Sequence, residues 1–335
     1  MAGFRQLLRN TSEGLYCPPG DFHIDPVRPV ARAVITHGHS DHARSGHGAV
    51  LATPETLAIM TARYGEDFAA STEAARYGEK ISRNDVTVTL VPAGHVLGSA
   101  QVMLKWKGIT AMISGDYKRR SDPTCAAFEP VACNLFVSEA TFGLPVFHFP
   151  PAEGEVAKLL KSVSLFPGRT HLVGAYALGK AQRLIALLRQ AGYDRPVYVH
   201  GALAGMNALY QAHGVTLGPL LPATDNARNT LPGEIVIAPP SAIADKWARR
   251  FADPIPAFAS GWMMVKARAR QRHVELPLVL SDHADWDELI LTVGELKPEE
   301  YWITHGNEEA LLRWAQLNNV AATALEIAGY EDEEE

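Results

Sequence analysis

Six residues, His37-Gly38-His39-Ser40-Asp41-His42, place three imidazoles and a carboxylate in one short loop, directly after the apolar run Ala33-Val34-Ile35. A strand that ends in H-x-H-x-D-H delivers His37 and His39 to one side of the loop, with Asp41 and His42 following on the next turn of chain. Neutral imidazole and carboxylate suit zinc, and oxygen-richer variants suit manganese. Two adjacent ligand clusters predict two divalent cations held close enough to share one water. A polar loop whose histidines merely cap a strand would not explain the recurrences downstream. Gly94-His95-Val96, Gly115-Asp116-Tyr117, Asp282-His283-Ala284 and Thr304-His305-Gly306 each follow an apolar segment. Four strand ends carrying His or Asp beside Gly or Ser predict one convergent site.

The elements that must hold these ends are legible in outline. Short Val- and Ile-rich runs at 33–36, 49–52, 86–91, 101–105 and 109–114 read as strands separated by turn signals. Between them, Pro54–Tyr64 reads as a helix with proline in its first turn. From about residue 150 the texture changes. Helical patterns at 153–163, 180–191, 204–213 and 241–251 alternate with strands near 170–174, 196–200 and 234–238, which predicts a parallel sheet. After residue 276 the ligand-bearing strand ends resume, with helices at 285–296 and 307–317. A segment that interrupts one site and lets it continue reads as an inserted domain. The expected division is therefore 1–148 with 276–335 as one domain, and 149–275 as the insert.

The 335 residues, 47% of them apolar, can bury two modest cores or one core with a large insertion. No run approaches the ~18 apolar residues of a membrane span, so neither a signal peptide nor a span is expected, and cytoplasm is the default. Cys17, Cys125 and Cys133 are an odd count without a C-x-x-C pair, which excludes a disulfide framework and a cysteine zinc site. The net charge of −6 is unevenly spread. Residues 146–282 carry 15 Lys and Arg against 9 Asp and Glu, a net +6, while residues 283–335 carry 2 against 14. The basic excess lies in the middle, where a polyanion would be held. The acidic tail Glu331-Asp332-Glu333-Glu334-Glu335 reads as a disordered, solubilising end.

The whole pattern resembles the metallo-β-lactamase fold, and within it the β-CASP branch of nucleases. Asp25 fits that family's first motif, His37 to His42 the second, His95 the third and Asp116 the fourth. Glu139, in Ser138-Glu139-Ala140-Thr141-Phe142-Gly143, fits motif A of the branch, His283 motif B and His305 motif C. The stretches at 15–26, 92–101, 174–184 and 281–289 look like bacterial exonucleases encoded beside an ATP-dependent DNA ligase and a helicase. The resemblance implies an α/β fold, a metallo-β-lactamase αββα sandwich with an inserted α/β β-CASP-like domain and an active site in the cleft between them. It implies His37, His39 and His95 on one metal, Asp41, His42 and His305 on a second, and Asp116 bridging. It further implies His283 as general acid, with Glu139 holding its tautomer. Asp25 would orient a ligating imidazole or the attacking water; the alternative is a turn carboxylate before Pro26. For His283 the alternative is a metal ligand, with His305 structural.

In the insert, Gly179 and Lys180 end a glycine turn and open a helix, with Arg183 on its first turns. Free amides and two cations there make an anion site, read here as a phosphate holder rather than a Walker A loop. Ser260-Gly261-Trp262 follows another strand end, where glycine permits close approach and Trp262 either stacks on a base or fills a core. Lys266, Arg268, Arg270 and Arg272 alternate as on a strand face or loop, offering phosphate contacts. His23, His47, His148, His171, His200, His213 and His273 read as structural. The leading expectation is a two-metal phosphodiesterase on polynucleotides: a repair exonuclease taking single-stranded or end-exposed DNA, alongside a DNA ligase and helicase. The resemblance to cross-link repair nucleases implies 5′-to-3′ cutting. An RNA-processing nuclease is the first rival, because His305 is the residue that RNA-processing members carry. A small-molecule hydrolase sharing H-x-H-x-D-H is the second, and an inactive binding subunit the third.

Overall fold

Val- and Ile-rich runs pair into three sheets, divided between two compact units. The computed structural model describes residues 2–224 and 231–325, so the acidic tail at 331–335 lies outside the described residues. One unit takes in the chain to His148 and resumes at His283; the other is Phe149–Asp282.

In the first unit, six strands keep chain order across one sheet: Arg9–Thr11, Gly14–Cys17, Phe22–Ile24, Arg32–Val34, His47–Ala52 and Ala69–Ala74. The first three are antiparallel and the rest join in parallel. A second sheet of seven runs Ala322–Ala324, Glu300–Gly306, Leu135–Ala140, Ile109–Ile113, Ala100–Trp106, Val86–Pro92 and Lys80–Arg83. Leu15, Phe22 and Val34 of one sheet meet Val88, Leu104 and Val137 of the other in a single buried cluster. Each such side chain contributes ~1.5–3 kcal/mol by leaving water. On its other face the second sheet packs Met112, Phe136 and Tyr301 against Leu289 and Val293 of helix Trp286–Leu296 and Leu311 of helix Glu308–Leu317. Helix Pro54–Tyr64 covers Ile35 and Val50 through Met60, and Thr53 caps it by accepting from the Thr56 amide.

The second unit is a six-stranded parallel sheet, ordered Leu220–Pro222, Val197–Val199, Ile235–Ala238, His171–Gly174, Ile255–Ala259, Leu276–Leu278. Three local expectations are corrected here. Leu276–Leu278, placed after the insert by the sequence reading, pairs with Ala257–Ala259 as the edge of the insert's own sheet. Lys266–Gln271 is a helix, not a strand. Its alternation of cation and alanine mimics a strand's period of two, but Ala, Lys and Arg are all strong helix formers. The pattern at 241–251 is likewise split: Asp245 ends one short helix, Pro240–Ala244, and caps a 3₁₀ turn, Lys246–Arg250.

Candidate metal centre

The H-x-H-x-D-H loop leaves strand Arg32–Val34 and closes on itself through the Ala43 amide, which donates to the His39 carbonyl at 2.7 Å. Its glycine is dictated by packing: a Cβ on Gly38 would lie 2.5 Å from Cγ2 of Ile59 on helix Pro54–Tyr64. His95 sits in the turn between the antiparallel strands Val86–Pro92 and Ala100–Trp106. There the Ser99 hydroxyl accepts from the amides of His95 and Val96, at 3.0 and 3.1 Å. Asp116 follows strand Ile109–Ile113.

These turns bring His37, His39, His95 and Asp116 together, all buried, with one donor atom of each within 4.8 Å of the others. The Nδ1 atom of His39 lies 3.1 Å from Nε2 of His37 and 2.9 Å from Nε2 of His95. Oδ2 of Asp116 lies 3.3 Å from His37 Nε2 and 3.6 Å from His95 Nε2. Donors ~2.0–2.1 Å from a tetrahedral zinc stand about 3.3 Å from one another, so the spacing fits such an ion. The other oxygen of Asp116 points elsewhere: Oδ1 is 3.4 Å from His42 Nε2, which is in turn 3.5 Å from Asp41 Oδ2. Oδ1 of Asp41 is buried with no hydrogen-bond partner among the described residues, an acceptor left for a cation. Asp116 thus offers one oxygen to each of two donor sets. The side chain of His305, the remaining expected ligand, lies outside the described residues.

Asp25 is buried, in the left-handed backbone region at φ 43°. Its Oδ2 accepts from Nδ1 of His42 at 2.8 Å, which ties the carboxylate to an imidazole of the second donor set. Glu139 and His283 form a second constellation. The carboxylate accepts from His283 Nδ1 at 2.9 Å and from the Tyr117 amide at 2.7 Å. The Ala284 amide donates back to the Tyr117 carbonyl at 2.6 Å, closing a ring through the residue next to Asp116. Glu139 owes its place to a bulge, since Ser138 pairs with Ile303 but Ala140 with Gly306. The His283 ring centroid is 4.8 Å from that of His95.

Electrostatics separate the histidines. Burial, then the neighbouring His37, His283 and His39, push His95 well below the usual imidazole range. Burial and His42 likewise lower His37. Burial alone would depress His42 too, but the Asp116 and Asp41 carboxylates outweigh it and hold His42 well above that range. A cation taking Nε2 of His42 competes with protons for that nitrogen, so acid disfavours loading of the second set.

Two supports are not legible as site residues from the sequence. Lys118 is fully buried, its ammonium 2.7 Å from Asp122 and donating to the His95 carbonyl at 3.3 Å. The backbone also closes here, because a Cβ on Gly94 would lie 2.3 Å from the Lys118 carbonyl. The i, i+4 spacing of Lys118 and Asp122 was the available signal. Lys118→Met, which strands a buried carboxylate, is expected to cost about 3–5 kcal/mol in urea unfolding. A loss under 1 kcal/mol would show the pair to be dispensable. The second support is Thr36, which directly precedes His37.

Within the second unit, Lys180 and Arg183 turn inward instead of presenting charge to solvent. Both are buried, 3.4 and 3.2 Å from the carboxylate of Asp282, and Arg183 also donates to the Ser281 carbonyl. The Gly179 amide donates to Oε1 of Gln182, which caps helix Lys180–Gln190 from within. Ser260 is buried and accepts from the Trp262 amide, and Gly261 is buried beside it. The Arg268 guanidinium lies over the Trp262 ring, 3.9 Å from its centroid.

No family model matches the chain. A probable DNA ligase of Opitutus terrae is 29% identical over 302 residues, which are 88% of this chain and 29% of that protein. The cleavage and polyadenylation specificity factor subunit 3 of Dictyostelium discoideum is 33% identical over 141 residues, 41% of this chain and 18% of that one. Endoribonuclease YSH1 of Saccharomyces cerevisiae is 32% identical over 120 residues, 35% and 15% of the two chains. The chain spans less than a third of the length of these curated relatives. A crystal structure of a protein of unknown function from Enterococcus faecalis V583 shares the fold, with TM-score 0.55 at 14% identity over 89% of this chain and 80% of that one. The likeness is thus to proteins that include metallo-β-lactamase-type nucleases of the β-CASP branch.

Proposed function

We propose that the chain is a metal-dependent phosphodiesterase on an αββα scaffold, hydrolysing polynucleotides and acting as an exonuclease on DNA ends. The observation that carries this reading is the adjacency of two arrangements: the His/Asp donor sets sharing Asp116, and the Glu139–His283 pair beside them. His37, His39, His95 and Asp116 hold one divalent cation, and Asp41, His42, Asp116 and His305 hold a second, zinc or manganese. When bound, such cations lower the pKa of a water and neutralise charge on non-bridging phosphate oxygens. Glu139 accepts the Nδ1 proton of His283 and favours the doubly protonated ring, whose second proton, on Nε2, passes to the departing sugar oxygen and leaves the imidazole neutral.

DNA is favoured because the relative matched over 88% of the chain is named a probable DNA ligase. The proposal includes a place beside a DNA ligase and a helicase in repair, the ligase being what the same relative is named for. RNA processing is the second reading, favoured by His305 and by the relatives named endoribonucleases. The test is digestion of matched 5′-phosphorylated single-stranded DNA and RNA, labelled at either end, with zinc or manganese. Mononucleotides released progressively from DNA are the expected result, and the labels give the polarity. Preference for RNA would move the protein to the second reading, and cleavage of neither would end both.

A further inference from the structure

Thr36 is 1% exposed and lies between a carboxylate and a metal-centre imidazole. Its amide donates to Asp25 Oδ1 at 2.8 Å and its hydroxyl to Asp25 Oδ2 at 2.6 Å. The same hydroxyl oxygen is 3.0 Å from Nδ1 of His37. A hydroxyl has a single proton, and an ionised carboxylate can only accept it. Toward His37 the oxygen must therefore be the acceptor, which places the ring proton of His37 on Nδ1. That leaves the lone pair on Nε2, the nitrogen facing His39 and Asp116. Asp25 Oδ2 meanwhile accepts directly from Nδ1 of His42, which frees that ring's Nε2 toward Asp41 and Asp116.

We propose that the Thr36 hydroxyl extends the hold of Asp25 to His37, so that one carboxylate fixes the ring tautomer of a ligand in each donor set. Thr36 is then a positioning residue, and Asp25 couples the two cation positions from outside both. A partner of this kind is worth about 10–100-fold in metal affinity. Direct contact with Asp25 serves only His42; without the hydroxyl, the Nδ1 of His37 has lost its acceptor.

This inference rests on the reading of the cluster as a metal centre, and the experiment separates the two. Zinc affinity and stoichiometry are measured by competition with a chromogenic chelator at fixed pH for wild type, Thr36→Ser and Thr36→Val. Thr36→Val keeps the shape of the side chain and removes only the hydroxyl. It is expected to bind its first zinc about 10–100-fold more weakly, while Thr36→Ser stays near wild type. Equal affinity in wild type and Thr36→Val would overturn the relay alone, as would a serine variant that falls as far as valine. Wild type that takes up no zinc would overturn the metal centre itself. A second measurement needs no variant: the imidazole nitrogen chemical shifts of His37 in the zinc-loaded wild type. Protonated Nδ1 is expected, and an unprotonated Nδ1 there refutes the proposal.

Discussion

Replacing Asp116 with alanine is expected to weaken both cation positions together and to lower hydrolysis by at least ~10³-fold, beyond the 10–100-fold that loss of an outer hydrogen-bonding partner costs. The reason is the division of its carboxylate. Oδ2 faces His37 and His95, while Oδ1 faces His42, so one deletion removes a donor from each set. His39→Ala should behave differently. Its Nδ1 lies between the Nε2 atoms of His37 and His95, so one metal equivalent should be lost and the other kept. Metal content of the purified variants, read beside their rates, distinguishes the two patterns. Loss of a single equivalent from Asp116→Ala would show that the two oxygens do not serve two ions.

The second large effect concerns His283. His283→Ala should retain both metals yet lose about 10²–10⁴-fold in rate, the usual contribution of a positioned acid. The loss should depend on the leaving group. An activated ester such as a nitrophenyl phosphodiester needs no proton on departure, so the variant should cleave it at nearly the wild-type rate. Equal losses on both substrates would remove the acid role, and a missing metal equivalent would make His283 a ligand instead.

The convergence of the His- and Asp-bearing strand ends was readable because their signal is chemical and local: imidazole or carboxylate beside glycine or serine, directly after a Val- and Ile-rich run. Helix Pro54–Tyr64 was equally plain, since a capping threonine and a first-turn proline announce it. What was hidden depends on contacts between distant residues. Nothing near Asp25 in the chain says that His42, 17 residues on, will donate to it. The inward turn of Lys180 and Arg183 depends on Asp282, about a hundred residues later, and neither cation looks different from a solvated one in sequence. The run at 266–272 shows another limit. Alternation fits a strand, propensity fits a helix, and the structure follows propensity because these side chains are mostly exposed and packing has little say.

The seam at which the chain returns from the insert carries a consequence for how such proteins can vary. Asp282 is fastened by Lys180 and Arg183, and the next two residues are fastened to Glu139 and to the Tyr117 carbonyl. Anchors fall on both sides of one peptide bond, one set in each unit. At the outgoing seam, by contrast, eight residues separate Glu139 from His148. Length can change inside the insert or along its way out without touching either set of anchors, whereas a residue added at the return falls directly between them. Lineages of this architecture should accumulate insertions inside the insert or along its way out rather than at its return, and a designer exchanging one insert for another should move Asp282 together with Lys180 and Arg183.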